Sequence, residues 1–253
     1  MDKFDVIIIG GGHAGVEAAF ACARMNKKSC LITNNLDDLG KMSCNPAIGG
    51  IGKSHLVKEI DAMGGLMGIA ADFGGIHFRV LNSSKGAAVR ATRSQSDRIL
   101  YSSKVKEIIN SEHLLTIIDS EVSEVLLSNS KSKGVKLSNG KSIQSKKVIL
   151  TAGTFLNGKL FTGEEEEEGG RIGDKPSKKL ADFLLSLELN SGRLKTGTPP
   201  RIKASTVNWS VTKEQPGDSP RPTMSFITTN KIHPQQMSCH ITRTNLKTHE
   251  IIM

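Results

Sequence analysis

The chain has 253 residues, 37% hydrophobic and 23% charged, enough to bury a real core as one large domain or two modest ones. Its 34 Lys and Arg against 25 Asp and Glu give a formal charge of +9, which suits a polyanionic partner without requiring one. Cys22, Cys30, Cys44 and Cys239 lack CxxC spacing, which argues against a zinc knuckle or a thioredoxin-type pair; no metal site is expected, and no apolar run reaches the roughly twenty residues of a membrane helix.

The first thirty or so residues read as strand, glycine turn, helix, strand. Val6 to Ile9 form a continuous apolar run of the kind buried in a parallel sheet, Ala14 to Ala23 an alanine-rich helix, and Lys28 to Thr33 a second strand. No basic segment and apolar run precede the first strand, so a signal peptide is not expected and the compartment is read as reducing, cytoplasmic or an organellar matrix. Gly10-x-Gly12-x-x-Gly15 falls between that strand and that helix, the context in which this spacing binds a dinucleotide. Gly10 permits the turn, Gly12 lets a pyrophosphate approach the backbone, and Gly15 lets helix pack closely on sheet. The acidic residue that usually ends the second strand and holds the ribose is absent: Thr33 and Asn34 stand in its place, with Asp37 and Asp38 later. His13, inside the loop, is given no chemical role of its own.

"MSCNPAIGGIGKSH", Met42 to His55, resembles a nucleotide phosphate loop but is not one. A Walker A loop needs glycine at position 47, where the chain has Ala47, and no apolar strand launches the stretch. Cys44 instead lies in a glycine-flanked loop ahead of a helix predicted over Ser54 to Met63, with Lys41 and Lys53 nearby. Such a setting lowers a thiol pKa and exposes the sulfur, although a core cysteine fits the local sequence equally well. Cys22 and Cys30 read as buried filler.

Glycine-interrupted sequence follows to Gly75, and then one long basic amphipathic helix is predicted from Ala87 to Ile109, with Arg90, Arg93 and Arg98 across one broad face. Short strands are expected from Leu114 to Leu127 and from Ser132 onward, with a hairpin turn at Asn139-Gly140. Lys147 to Thr151 should rejoin the main sheet. "GEEEEEGG", Gly163 to Gly170, reads as a solvated loop, and Ser177 to Leu187 as a short helix. From Leu194 onward Pro, Thr and Ser dominate, with strands expected near Met224 to Ile227 and Cys239 to Thr242. The expected division is therefore a dinucleotide-binding unit over 1–194, with a hairpin excursion at about 120–147, and the start of an inserted domain over 195–253. The final "THEIIM" lies inside periodic sequence and suggests a truncated chain.

The stretches "FDVIIIGGGHAG", "MSCNPAIGGIGKSHLVKEIDAMGGLMG", "LNSSKGAAVRATRSQSDR", "AGTFLNGK", "GGRIGDKPS", "GRLKTGTPPRI", "QPGD", "HPQQ" and "TNLKTHEII" run in order over essentially the whole chain. Together they resemble the N-terminal portion, less than half, of the GidA family, the flavin subunit that modifies the wobble uridine of certain tRNAs. The resemblance implies an α/β fold of the glutathione-reductase-like FAD/NAD(P)-binding class with an inserted mixed α/β domain. It implies FAD as cofactor, NADH and methylenetetrahydrofolate as co-substrates, a GTPase partner, tRNA as substrate, and a homodimer for the full-length protein. The reaction implied is addition of an aminomethyl or carboxymethylaminomethyl group at uridine C5.

Carried over by position, Gly10, Gly11, Gly12, His13, Ala14 and Gly15 would cradle the FAD pyrophosphate, Val122 would contact the adenine side, and Ser177 would lie at the flavin. Cys44 would be the catalytic cysteine, attacking the uracil ring or handling the methylene unit. Lys85, Arg90, Arg93 and Arg201 are the candidates for tRNA phosphates. Ala87 stands where the family usually has proline, and His240 and Arg243 depart from its "CYITHTN". A second important cysteine and the NAD-binding segment are missing, so the isolated chain is expected to be inactive alone. The alternatives are an FAD- and folate-dependent tRNA uridine methyltransferase and a non-catalytic tRNA- or partner-binding module; a small-molecule NAD(P) oxidoreductase leaves Cys44 and the basic balance unexplained.

Overall fold

The computed structural model describes residues 3–42, 46–229 and 233–253. Its centre is a six-stranded sheet. Strands β1 (Lys3–Ile9) and β2 (Ser29–Thr33) flank helix α1 (His13–Arg24), the predicted βαβ start. Strands β3 (Ala47–Gly49), β4 (Gly75–Leu81) and β5 (Ala91–Ser96) form a separate small sheet. Helices α2 (Lys53–Ala62) and α3 (Met67–Gly74) lie between β3 and β4, and α4 (Arg98–Asn110) follows β5. Strands β6 (Leu115–Asp119), β7 (Val122–Ser128), β8 (Lys131–Leu137) and β9 (Ser142–Leu150) then complete the main sheet in the order β6-β2-β1-β9-β8-β7. The four strands from β6 to β9 in that order are parallel, and β8 and β7 continue antiparallel.

The runs Val6–Ile9 of β1 and Cys30–Ile32 of β2 are apolar because both faces of the sheet are covered there. Ile8 and Leu31 point to one face, into a cluster with Val16, Leu66, Phe78, Tyr101 and Val105. Ile7, Ile9, Cys30 and Ile32 point to the other, against Val122, Val135, Ile143 and Leu180. The predicted hairpin excursion is thus part of the main sheet itself, since β9 pairs with β8 through Ser142–Gln144 and with β1 through Gln144–Leu150. Strands β10 (Lys159–Thr162) and β11 (Glu165–Glu168) make a hairpin, helix α5 (Lys178–Ser186) follows, and β12 (Lys213–Gln215) pairs with β13 (Cys239–Ile241) before the final helix α6 (Leu246–Ile252). Among the described residues no helix is long and apolar enough to cross a membrane.

Three expectations are corrected. The single long helix over Ala87 to Ile109 is two elements, β5 and α4. Asp97 stops the strand and starts the helix, its carboxylate accepting from Ile99 N at 2.8 Å and Leu100 N at 3.0 Å. Upstream of it, 91–96 is the middle strand between β3 and β4, and its buried side chains are Ala91, Ser94 and Ser96, small residues that carry no apolar period. The acid block is solvated but is not a loop: Glu165–Glu168 is an exposed strand paired with β10.

The third correction concerns Met224 to Ile227, which is no strand. Its backbone is held by carboxylates. Asp72, on α3 and almost fully buried, accepts from Met224 N at 2.7 Å and Ser225 N at 2.8 Å, and Asp61 accepts from Phe226 N at 2.8 Å. Burial pushes the Asp72 carboxyl above its usual range, while the two N–H donors pull the other way. The same region is tied to β4 by Asp218, whose carboxylate accepts from Val80 N at 2.7 Å. Replacing Asp72 by Ala leaves two buried N–H groups without acceptors. A loss of about 2–4 kcal/mol is expected in urea unfolding, with faster amide exchange at 224–225 than at β1. Unchanged exchange at 224–225 would contradict the anchoring role.

Candidate functional site

The glycine loop sits where β1 ends. Gly10 has φ +102°, and its N–H donates to the Ile32 carbonyl at 2.8 Å. The end of β9 closes on the same point: the Thr151 hydroxyl donates to Ile9 O at 2.7 Å and lies 3.1 Å from Gly10 O. A Cβ on Gly15 would overlap the Gly10 carbonyl oxygen, so the first turn of α1 reaches this distance only without a side chain. Gly12 is different. It caps α1, and a Cβ built there meets no atom within 4 Å. Its open side faces a cleft, toward which the orphan N–H groups of the first helical turn are directed, and that turn carries no acidic residue.

The cleft has a volume of about 480 Å³. Gly10, Gly11, Gly12, His13 and Ala14 form one wall. Val122, at the start of β7, and Ser177, which precedes α5, also line it. Six well-separated stretches of chain are brought together: the loop, the end of β2, the segment 38–41, 121–122, 150–155 and 171–180. Gly15 lies behind the cleft rather than in it. Thr33, the last residue of β2, and Asn34 after it line the cleft. Asp37 is no substitute for the missing acid, with its side chain 94% exposed and 3.6 Å from Lys106. Asp38 does line the cleft but is already neutralised, 2.6 Å from Lys41 and 3.5 Å from Arg171.

Arg171, Glu121 and Thr151 are cleft residues that sequence reasoning missed. Arg171 and Thr151 stood in visible motifs, "GGRIGDKPS" and "ILTAGT", but only the tertiary fold points them at the loop. Arg171 stacks 5.2 Å over the Phe155 ring as well as meeting Asp38. His13 has its Nδ1 3.2 Å from the Tyr101 hydroxyl, with the rings edge to face at 5.5 Å. Burial, and then the Arg171 charge, lower its pKa, so the ring is neutral at physiological pH. Glu17, one turn further on α1, accepts from Leu66 N and Met67 N and thereby caps α3, at 3.1 and 2.6 Å.

Cys44 lies outside the described residues. Its neighbours are placed: Met42 is buried, and the Pro46 carbonyl accepts from Ser96 N at 2.7 Å. Arg90, Arg93 and Arg98 are not on one helix: Arg90 precedes β5, Arg93 lies within it, and Arg98 begins α4. Lys85 and Arg90 are exposed and adjacent, the Arg90 Nε donating to Lys85 O at 3.1 Å, and His55 on α2 contacts the same loop at Ala88 O, 3.1 Å away. Arg93 is half-buried on β5 opposite Arg79, with no partner for its Nε among the described residues. Arg201 is exposed in irregular chain after α5.

A family model described as glucose inhibited division protein A (GidA) matches residues 5–253. The solved structure of Aquifex aeolicus GidA superposes with a TM-score of 0.94 at 44% identity over 99% of this chain, in each of two crystal forms. The chain spans only 42% of that protein's length in the form II crystal. A GidA-related protein from Thermus thermophilus matches at 22% identity and a TM-score of 0.54, over 73% of this chain and 68% of its own, a likeness of fold.

Two outcomes follow from the loop. Gly15→Ala should cost about 1–3 kcal/mol in urea unfolding, whereas Gly12→Ala should leave the midpoint unchanged; equal losses would refute the assignment of packing to one and open approach to the other. His13 loses its proton more readily folded than unfolded, so the unfolded chain binds more protons below its ordinary pKa of about 6.5. Stability intact above that pH should fall as the pH drops through it, and His13→Gln should remove this part of the slope in thermal melts run from about pH 7.5 to 5.5.

Proposed function

This chain belongs to the glucose inhibited division protein A family, and we propose that it forms the FAD-binding part of an enzyme that modifies the wobble uridine of tRNA. The observation that carries the proposal is the single cleft in which Gly10–Ala14, Val122 and Ser177 meet. Its chemistry suits a dinucleotide: backbone donors and a helix N-terminus for the pyrophosphate, an uncharged Thr33–Asn34 end of β2 for the ribose, and a wall begun by Val122 for the adenine. Bound FAD would supply the redox chemistry that side chains lack.

The other roles are proposed from the family. Cys44 is the nucleophile: its thiolate adds to C6 of the target uracil, C5 of the resulting enolate bonds to the one-carbon electrophile, and loss of the C5 proton to a base expels the thiolate and restores the C5–C6 double bond. Lys41 and Lys53 lie close in sequence and favour the thiolate. The exposed pair Lys85 and Arg90, on the loop that His55 of α2 contacts, offers phosphate contacts, with Arg93 and Arg201 as further members of the basic set. Methylenetetrahydrofolate as one-carbon donor, NADH as reductant, a GTPase partner and a homodimer complete the proposal. Residues 195–253 would open the inserted domain.

The first test is visible absorption after FAD is added and the protein desalted. A retained flavin band is expected for the wild type and for Cys44→Ala, and loss of the band for Gly12→Ala, whose methyl group would stand in the cleft. In the complete protein Cys44→Ala should abolish uridine modification while keeping its flavin. Flavin retained by Gly12→Ala would move the cofactor away from this cleft.

A further inference from the structure

We propose that Tyr101 fixes His13 in its Nε2–H tautomer, making the ring a neutral side-chain donor to the phosphates of the dinucleotide in the cleft. His13 is the binding residue and Tyr101 a positioning residue. The identity of the ligand rests on the FAD proposal; the tautomer does not.

The assignment comes from proton placement. Tyr101 is fully buried on α4, and among the described residues its hydroxyl has one hydrogen-bond partner, Nδ1 of His13 at 3.2 Å. A buried hydroxyl keeps its proton satisfied wherever an acceptor is available. Glu17, the nearest carboxylate along α1, is not that acceptor: among the described residues it accepts from Leu66 N and Met67 N, and no hydrogen bond joins it to the Tyr101 hydroxyl. With the proton on Nδ1, two donors would face each other, or the phenol proton would be left without an acceptor. With Nδ1 bare, the Tyr101 hydroxyl donates to it and both groups are satisfied. The ring carries one proton, since burial and the nearby Arg171 disfavour the imidazolium, and that proton is then on Nε2.

Nε2 has no partner among the described residues, and His13 lines the cleft between Gly12 and Ala14 at the first position of α1. The tautomer therefore decides the sign of its interaction with an anion. An Nε2–H adds a side-chain donor to the backbone donors of the helix terminus, whereas a bare Nε2 would turn a lone pair toward phosphate oxygens and repel them. The phenol matters without touching the ligand.

The test uses protein labelled with ¹⁵N in its histidine rings. Two-bond ¹H–¹⁵N correlations distinguish the tautomers, and His13→Gln assigns the signals. The wild type should show the Nε2–H pattern without ligand. Tyr101→Phe, which keeps the ring and its packing, should show a mixture and bind FAD about three- to tenfold more weakly, the effect of one neutral hydrogen bond. His13→Gln, whose amide can still donate, should bind within about threefold of wild type, and His13→Leu should bind least. An Nδ1–H pattern in the wild type, or one tautomer unchanged in Tyr101→Phe, overturns the positioning role. Equal FAD binding by wild type and His13→Leu overturns the donor role. A wild type that shows Nε2–H but retains no FAD removes the cofactor proposal and leaves the Tyr101 assignment standing.

Discussion

The structure depends on one close approach: the first turn of α1 crossing over the end of β1, with the α-carbon of Gly15 against the carbonyl of Gly10. Only at that distance do the helix's unpaired N–H groups come to the edge of the sheet, where an anion can reach them. The Thr151 hydroxyl reinforces the junction from the end of β9, because it bonds the last carbonyl of β1 and reaches the first of the loop. Helix, loop and the ends of β1 and β9 are joined at this point, and the cleft walls are added around it by segments as far along the chain as Leu180.

That junction was legible because its constraint is local. Three glycines at fixed spacing between an apolar run and an alanine-rich helix leave few backbones that satisfy all of them. The buried strands were legible for a similar reason: β1 and β2 are apolar on both faces because both faces are covered. Reasoning failed where the determining partner is distant. Strand β5 is a strand because β3 and β4 lie on either side of it, and its buried serines give the sequence no signal. Met224 and Ser225 are buried without sheet pairing because a carboxylate 152 and 153 residues earlier takes their N–H groups.

The cleft repeats the pattern. Gly10 to Ala14 could be placed from spacing, and Val122 and Ser177 from family resemblance; the fold brings all of them to one cavity. Arg171 and Asp38 could not be paired from sequence, being 133 residues apart. The ion pair has a chemical consequence, since it neutralises Asp38, the acid following β2 that lines the cleft among the described residues. The site is left with neutral amide and hydroxyl groups at Thr33 and Asn34, and a positive side supplied by Lys41 and Arg171.

The anchoring of residues 224–225 by Asp72 also bears on how the chain folds. During synthesis the N-terminal half emerges first, and α3 can be formed long before its acceptor finds its donors. Until then the carboxylate must stay hydrated, because burying it alone in the apolar layer beside Ala71 and Phe78 is prohibitive. Burial of the Asp72 carboxylate is therefore tied energetically to docking of the later segment, which supplies its donors. A contact across 152 residues makes the burial of α3 and of Met224 a single, mutually dependent event.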